Sequence, residues 1–294
     1  MIAAVSALPF LACSAQVPAL NEHGQLVVVA AENFWGSIAQ QLGGDRVDVT
    51  SIISSPATDP HDYEPTTADG RAMASARYVI FNGLGYDTWA RDAVDANPVP
   101  NRSVLDVGQL LALNDGDNPH RWYFPGDVRR VIAQVTADYK HLDPTNAPYY
   151  DARRDDFERR ALASYDARLR EIQQRYRGVP VGATENIFAG VAASTGLDLI
   201  TPSAFTLAVS EGGDPSAADK VTVDEQIARH QIKVLVFNPQ NATPDVRALV
   251  DEAHASGVPV AAMTETPPDG ASFQDWQSRQ LQELADSLAR GSGQ

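Results

Sequence analysis

The chain has 294 residues with 38 acidic against 23 basic side chains, a formal charge of -15 that repels phosphate backbones and argues against nucleic acid as a partner. Its 44% hydrophobic content is enough for folded cores, and its length suits two lobes of ordinary size. The single cysteine, Cys13, excludes an intrachain disulfide and any metal site built from several thiolates.

Met1 to Ala12 are apolar or small and run into Cys13-Ser14-Ala15, the pattern of a secretory signal ending at a lipidated cysteine. Phe10 stands where such signals usually place Leu, and no basic stretch precedes it, so the expected start lies inside a longer signal peptide. Residues 1–24 are therefore expected to be a signal remnant and tether, on an exported protein of the cell surface or periplasm that is lipid-anchored at Cys13. An ordinary apolar N-terminus with a chance cysteine is the alternative. No later stretch reaches the ~18 apolar residues of a bilayer span, so membrane contact would come only through that lipid.

After Gln25, Leu-Val-Val-Val-Ala-Ala has the composition of a buried strand, and Glu32 to Gly44 has helical spacing with a Gly stop. A second strand is predicted over Val47 to Ile53, a helix over Thr67 to Ala76, a strand over Tyr78 to Asn82 and a helix over Tyr86 to Asp95. This alternation predicts a parallel sheet covered on both faces. From Pro148 to Tyr176 the pattern becomes one charged amphipathic helix, ~40 Å long, with Phe157, Ala161, Tyr165, Leu169 and Ile172 near one face. Strands then recur at Val179 to Ala183, Val234 to Asn238 and Val258 to Met263, with helices over Asn186 to Ser194, Pro244 to Ser256 and Trp276 to Ala289. Ala31-Glu32-Asn33-Phe34-Trp35-Gly36 is echoed by Thr184-Glu185-Asn186-Ile187-Phe188-Ala189, each placed after an apolar strand. The expectation is an α/β protein of two similar lobes, 25–145 and 178–294, joined by one long rigid helix over 146–177. In open parallel sheets ligands sit beyond the carboxyl ends of strands, so residues just after a strand are the first site candidates.

Two of the six histidines have a distinctive setting. His61 lies in Asp59-Pro60-His61-Asp62-Tyr63-Glu64-Pro65 and His120 in Asn118-Pro119-His120-Arg121-Trp122. Proline stiffens both loops, and a held position suits a metal ligand because ordering a mobile loop costs ~1–2 kcal/mol per residue. Either histidine alone fits an ordinary surface loop equally well. His23, His141, His230 and His254 are read as tail, loop or solvated helix residues, and the four tryptophans as packing. No helical zinc-hydrolase motif, phosphate-binding loop or nucleophile elbow is present.

The two Pro-His elements, the long middle helix, Thr184-Glu185-Asn186-Ile187-Phe188 and Gly212-Gly213-Asp214-Pro215-Ser216-Ala217 together resemble the solute-binding proteins of zinc and manganese ABC importers, over about residues 25 to 289. The resemblance implies one divalent metal, Zn²⁺ or Mn²⁺, in the interlobe cleft, with one ligand from each of four loops: His61, His120, Glu185 and Glu265. Asp269 is the alternative to Glu265 across the Pro267-Pro268 register, and capping of the next helix is the alternative role for Glu185, as it is the expected role of Glu32. The resemblance further implies a non-enzymatic, monomeric carrier that delivers its metal to a membrane permease.

Two imidazoles and two carboxylates would make a closed shell without a position for catalytic water. Oxygen donors lean toward Mn²⁺ while intrinsic affinity favours Zn²⁺. The resemblance implies a His-rich loop before the second Pro-His element in zinc-dedicated members, and Leu113 to Asp117 lacks histidine, which leans toward manganese or a less selective carrier. The competing readings are a metal-dependent hydrolase with Glu185 as general base, and a surface adhesin with a structural metal.

Overall fold

A computed structural model of the chain describes residues 20–56, 58 and 63–293. Cys13 and His61 lie outside the described residues. The first half runs β1 (Leu26–Glu32), α1 (Asn33–Gly43), β2 (Val47–Ile53), α2 (Thr67–Ser75), β3 (Tyr78–Phe81), α3 (Thr88–Ala96), β4 (Ser103–Asp106), α4 (Val107–Leu111) and α5 (Pro125–Leu142). A helical rod follows: α6 (Ala147–Asp156), a π-helical turn over Phe157–Ala161 and α7 (Ala163–Tyr176). The second half is β5 (Pro180–Ala183), α8 (Ala189–Thr195), β6 (Asp198–Leu199), α9 (Ser203–Ser210), α10 (Ala217–Ala228), β7 (Leu235–Phe237), α11 (Pro244–Ala255), β8 (Val260–Ala262) and α12 (Phe273–Ser292).

The α/β expectation holds, with two four-stranded parallel sheets ordered β2-β1-β3-β4 and β6-β5-β7-β8 and flanked by helices. In each sheet the first strand of its half lies second, so β1 and β5 are central and buried nearly throughout, the placement that a continuous apolar run requires. Gly44, at φ 56°, ends α1 in a backbone region that glycine enters without strain. Thr66 and Asp69 form a capping box that starts α2.

The rod expected over 146–177 is helical, but its middle turn is π-helical, with Phe157 and Leu162 both buried against the core. Four helices, α4, α5, α9 and α10, and the edge strands β4 and β6 occupy stretches to which the sequence assigns no element. α5 is the consequential one: Val128, Val131, Ile132, Val135 and Tyr139 bury one face, and its N-terminus follows directly on the His120 loop.

The largest apolar cluster runs from Val28 and Trp35 through Trp122 and Tyr123 to Phe188, Trp276 and Leu281, so the two halves share one core. α12 packs on α7 and also reaches α1, where Phe273 donates its backbone N–H to Ser37 Oγ at 2.9 Å. Gly190 on α8 sits so close to the His120 loop that a Cβ there would lie 2.5 Å from the Tyr123 carbonyl oxygen. Close approach, not turn geometry, is what this position asks of glycine.

Candidate metal centre

The C-terminal edges of the two sheets face one another, and side chains from three loops converge there. His120, Glu185 and Glu265 are each buried, and each offers one ligand atom within 4.8 Å of the others. Tetrahedral bonds of ~2.1 Å hold donors roughly 3.4 Å apart, so a dication would need no pair to close by more than about 1.4 Å.

His120 is held by the residue two before it. Asn118 Oδ1 accepts from the His120 backbone N–H at 2.9 Å and lies 3.0 Å from His120 Nδ1. Asn118 Nδ2 donates across the cleft to the Asn186 carbonyl at 2.8 Å, which fixes the amide so that its oxygen faces the ring. Nδ1 therefore carries the proton, and in the neutral ring the lone pair belongs to Nε2, which points to Glu265 Oε1 at 4.0 Å. This orientation by a hydrogen-bonded partner is what a ligating imidazole needs. Trp122, stacked on Phe34 with centroids 4.0 Å apart, packs edge-on to the imidazole and walls the site with apolar surface.

Glu185 follows β5 and takes the N-cap position of the next helical turn, yet its side chain makes no capping hydrogen bond. Its carboxylate turns to the cleft, where Oε2 accepts from Asn238 Nδ2 at 3.2 Å. Glu265 follows β8. Its Oε1 accepts from the same Asn238 nitrogen at 3.0 Å and its Oε2 from the Tyr86 hydroxyl at 2.6 Å. Its backbone N–H donates to Gln240 Oε1 at 2.6 Å. Asp269, the alternative position, is exposed and outside this cluster.

Glu32 departs from its expected role. It also occupies an N-cap position without capping, and it is fully buried beside Asp87. Burial, and then the Asp87 charge, pushes its carboxyl well above the usual carboxylate range, while burial raises Asp87 to about 6 against the hydrogen bonds that lower it. Burial disfavours the charged form there, so Glu32 is not the charged helix cap that its position suggests.

Tyr86, Asn118, Asn238 and Gln240 were not singled out by sequence reasoning. Asn118 had a local signal, two residues before His120, and Asn238 stands directly after an apolar strand, the position where ligands gather in open sheets. Pro56, five residues before His61, accepts from Gln240 Nε2 at 2.8 Å.

A family model described as zinc-uptake complex component A, periplasmic, matches residues 28–287. The manganese-binding lipoprotein MntA of Halalkalibacterium halodurans is 27% identical over 179 residues, which span 58% of this chain and 54% of that protein. The manganese ABC transporter substrate-binding lipoprotein PsaA of Streptococcus pneumoniae is 22% identical, with 97% of this chain and 96% of that one aligned. The high-affinity zinc uptake system protein ZnuA of Bacillus subtilis is 23% identical over 85% of this chain and 83% of its own length. Among solved structures, the periplasmic zinc-binding protein TroA of Treponema pallidum superposes with a TM-score of 0.74 at 17% identity, covering 90% of this chain and 99% of TroA. A periplasmic metal-binding protein of Candidatus Liberibacter asiaticus gives 0.71 at 20% identity, covering 90% and 100%. At such identity these superpositions establish the fold.

Proposed function

Because the chain belongs to the family of periplasmic zinc-uptake component A, we propose that it captures one Zn²⁺ or Mn²⁺ outside the cytoplasm and hands it to the permease of an ABC importer. Relatives named as substrate-binding lipoproteins of manganese transporters, and one named for zinc uptake, support this reading. The observation that carries it in this chain is the convergence of His120, Glu185 and Glu265 from three separate loops into one buried cluster. Burying two carboxylates together is costly unless a cation or proton compensates them, and an oriented imidazole beside them completes a mixed nitrogen and oxygen donor set suited to a transition dication.

His61 is the proposed fourth ligand, on its Pro-His motif and on the hydrogen bond of Pro56, five residues before it, to Gln240, whose Oε1 accepts from the Glu265 backbone N–H. The lobes are taken as 25–145 and 178–294 with the rod 146–177 between them. The chain acts as a monomer tethered through Cys13, and its work is binding and release with no bond made. The hydrolase alternative requires Glu185 as a base acting on bound water; the carrier reading uses its carboxylate as a ligand, which its place within 4.8 Å of the His120 and Glu265 donor atoms supports.

Elemental analysis with native mass spectrometry of protein from metal-limited cells tests the assignment. One metal per chain is expected in the wild type, with loss in His61→Ala, His120→Ala, Glu185→Ala and Glu265→Ala. Unchanged stoichiometry in all four variants would overturn the site.

A further inference from the structure

Asn238 is neither a donor atom for a metal nor part of a hydrophobic core, yet it is completely buried between the two carboxylates. Its Oδ1 accepts from the Gln240 backbone N–H at 2.9 Å, a local turn that prevents the amide from flipping. Both hydrogens of its nitrogen are thereby committed to the acids, one to Glu185 Oε2 at 3.2 Å and one to Glu265 Oε1 at 3.0 Å. Glu265 is then held at both oxygens, by Asn238 from the second half of the chain and by Tyr86 from the first.

The choice of an amide has chemical consequences. A lysine or arginine here would neutralise the acids and compete with the dication for them. A hydroxyl has one hydrogen and would serve one carboxylate only. A neutral amide spans both acids, sets their separation, and leaves their charge for a cation. A carboxylate held at both oxygens also resists the rotation that converts one-oxygen into two-oxygen ligation.

We infer that Asn238 is a positioning residue that fixes the orientation of Glu185 and Glu265 and so biases the site toward a four-coordinate dication, Zn²⁺, over one that expands its shell, Mn²⁺. Discrimination between ions of similar charge rests on ligand number and site flexibility, and Asn238 restrains both. The oxygen-rich donor set alone leans toward Mn²⁺; the rigidity supplied by Asn238 opposes that lean. This inference rests on the metal-binding reading above.

Zn²⁺ and Mn²⁺ dissociation constants, measured by chelator competition on the wild type, Asn238→Ala and Asn238→Ser, test it together with the visible absorption of Co²⁺ bound to each. Asn238→Ala is expected to weaken Zn²⁺ by about 10–100-fold, the range for loss of a partner that orients ligands, and Mn²⁺ far less, so that the Zn²⁺ preference shrinks. The Co²⁺ bands should weaken as its coordination number rises. Asn238→Ser, with a single donor, should fall between the two, and it carries the same comparison if the alanine variant does not fold. Equal weakening of both metals with an unchanged Co²⁺ spectrum would overturn the role of Asn238 and leave the metal site standing. A wild type that binds neither ion would overturn the metal-binding reading itself.

Discussion

The two halves of the molecule each bury a pair of acids, one member of each pair at the same place in the same sheet topology, and they stabilise them differently. Glu32 follows β1 and Glu185 follows β5, the equivalent strands of sheets ordered β2-β1-β3-β4 and β6-β5-β7-β8. The neighbouring strands β3 and β7 end alike, in Phe81-Asn82 and Phe237-Asn238, and both asparagines are fully buried. Asn82 accepts from Trp35 Nε1 at 3.1 Å and donates to the Pro119 carbonyl at 2.9 Å, leaving nothing for Glu32. Burial, and then the charge of the neighbouring Asp87, pushes the Glu32 carboxyl well above the usual carboxylate range, which favours its protonated form. Asn238 instead gives both its hydrogens to Glu185 and Glu265, which face an imidazole. One pair is compensated by a proton. The other is the proposed cation site.

The widest separation between the two pairs should appear when each is made neutral. Glu185→Gln with Glu265→Gln removes two proposed ligands and is expected to raise the metal dissociation constant by more than about 100-fold, beyond the loss attached to orienting partners alone. Glu32→Gln with Asp87→Asn should leave it within about threefold, because that pair serves the protein through a proton. Chelator competition on both double variants decides. Equal losses would mean that the first pair belongs to the site and that the contrast drawn above is wrong.

A smaller effect should come from Asn82, the counterpart of Asn238 that serves structure. Asn82→Ala leaves the buried Trp35 indole and the Pro119 carbonyl without their partner, at a cost of about 1–3 kcal/mol in stability. Pro119 precedes His120, so metal affinity should also fall, by roughly tenfold, the lower end for an indirect support. Urea unfolding and metal competition measure the two losses. Loss of affinity without loss of stability would make Asn82 a member of the site and sharpen its likeness to Asn238.

Much of this arrangement was legible in the sequence, and what escaped did so for physical reasons. Central strands such as β1 are buried on both faces and read as unbroken apolar runs, whereas β4 and β6 are edge strands of four and two residues, too short to produce a period. α5 carried its signal at Val128, Val131, Ile132, Val135 and Tyr139, yet no element was assigned there, directly after the proline-flanked motif. The π-helical turn at Phe157–Ala161 has no sequence mark; Phe157 and Leu162 beside it are both buried in the core shared by both halves. For the site, the resemblance supplied Glu185 and Glu265, which spacing alone could not join across 80 positions of chain. Asn118 and Asn238 had positional signals, but the roles of the asparagines and of Tyr86 lie in which atoms they touch, which the sequence does not show. Glu32 and Glu185 look alike in sequence, and only the neighbours contributed by β3, β7 and β8 separate them.

The finest test of the contrast is its dependence on pH. Burial raises the folded-state carboxyls of Asp87, from 3.8 to about 6, and of Glu32, well above 4.5. A raised carboxyl means that the folded chain holds a proton that the unfolded chain has already released, so stability falls as pH rises. The loss begins near pH 4, where the unfolded carboxyls ionise, runs for Asp87 to about 6, and continues for Glu32 above that. Glu32→Gln keeps the shape and removes the titration. Its melting temperature should match the wild type near pH 4 and exceed it at pH 8 by about 2 °C, the scale for roughly 1 kcal/mol in a chain of this size. Thermal scans of metal-free protein across that range read the difference directly. Parallel curves for the two proteins would show that Glu32 holds no proton in the folded state, and the first pair would then need a compensating cation of its own.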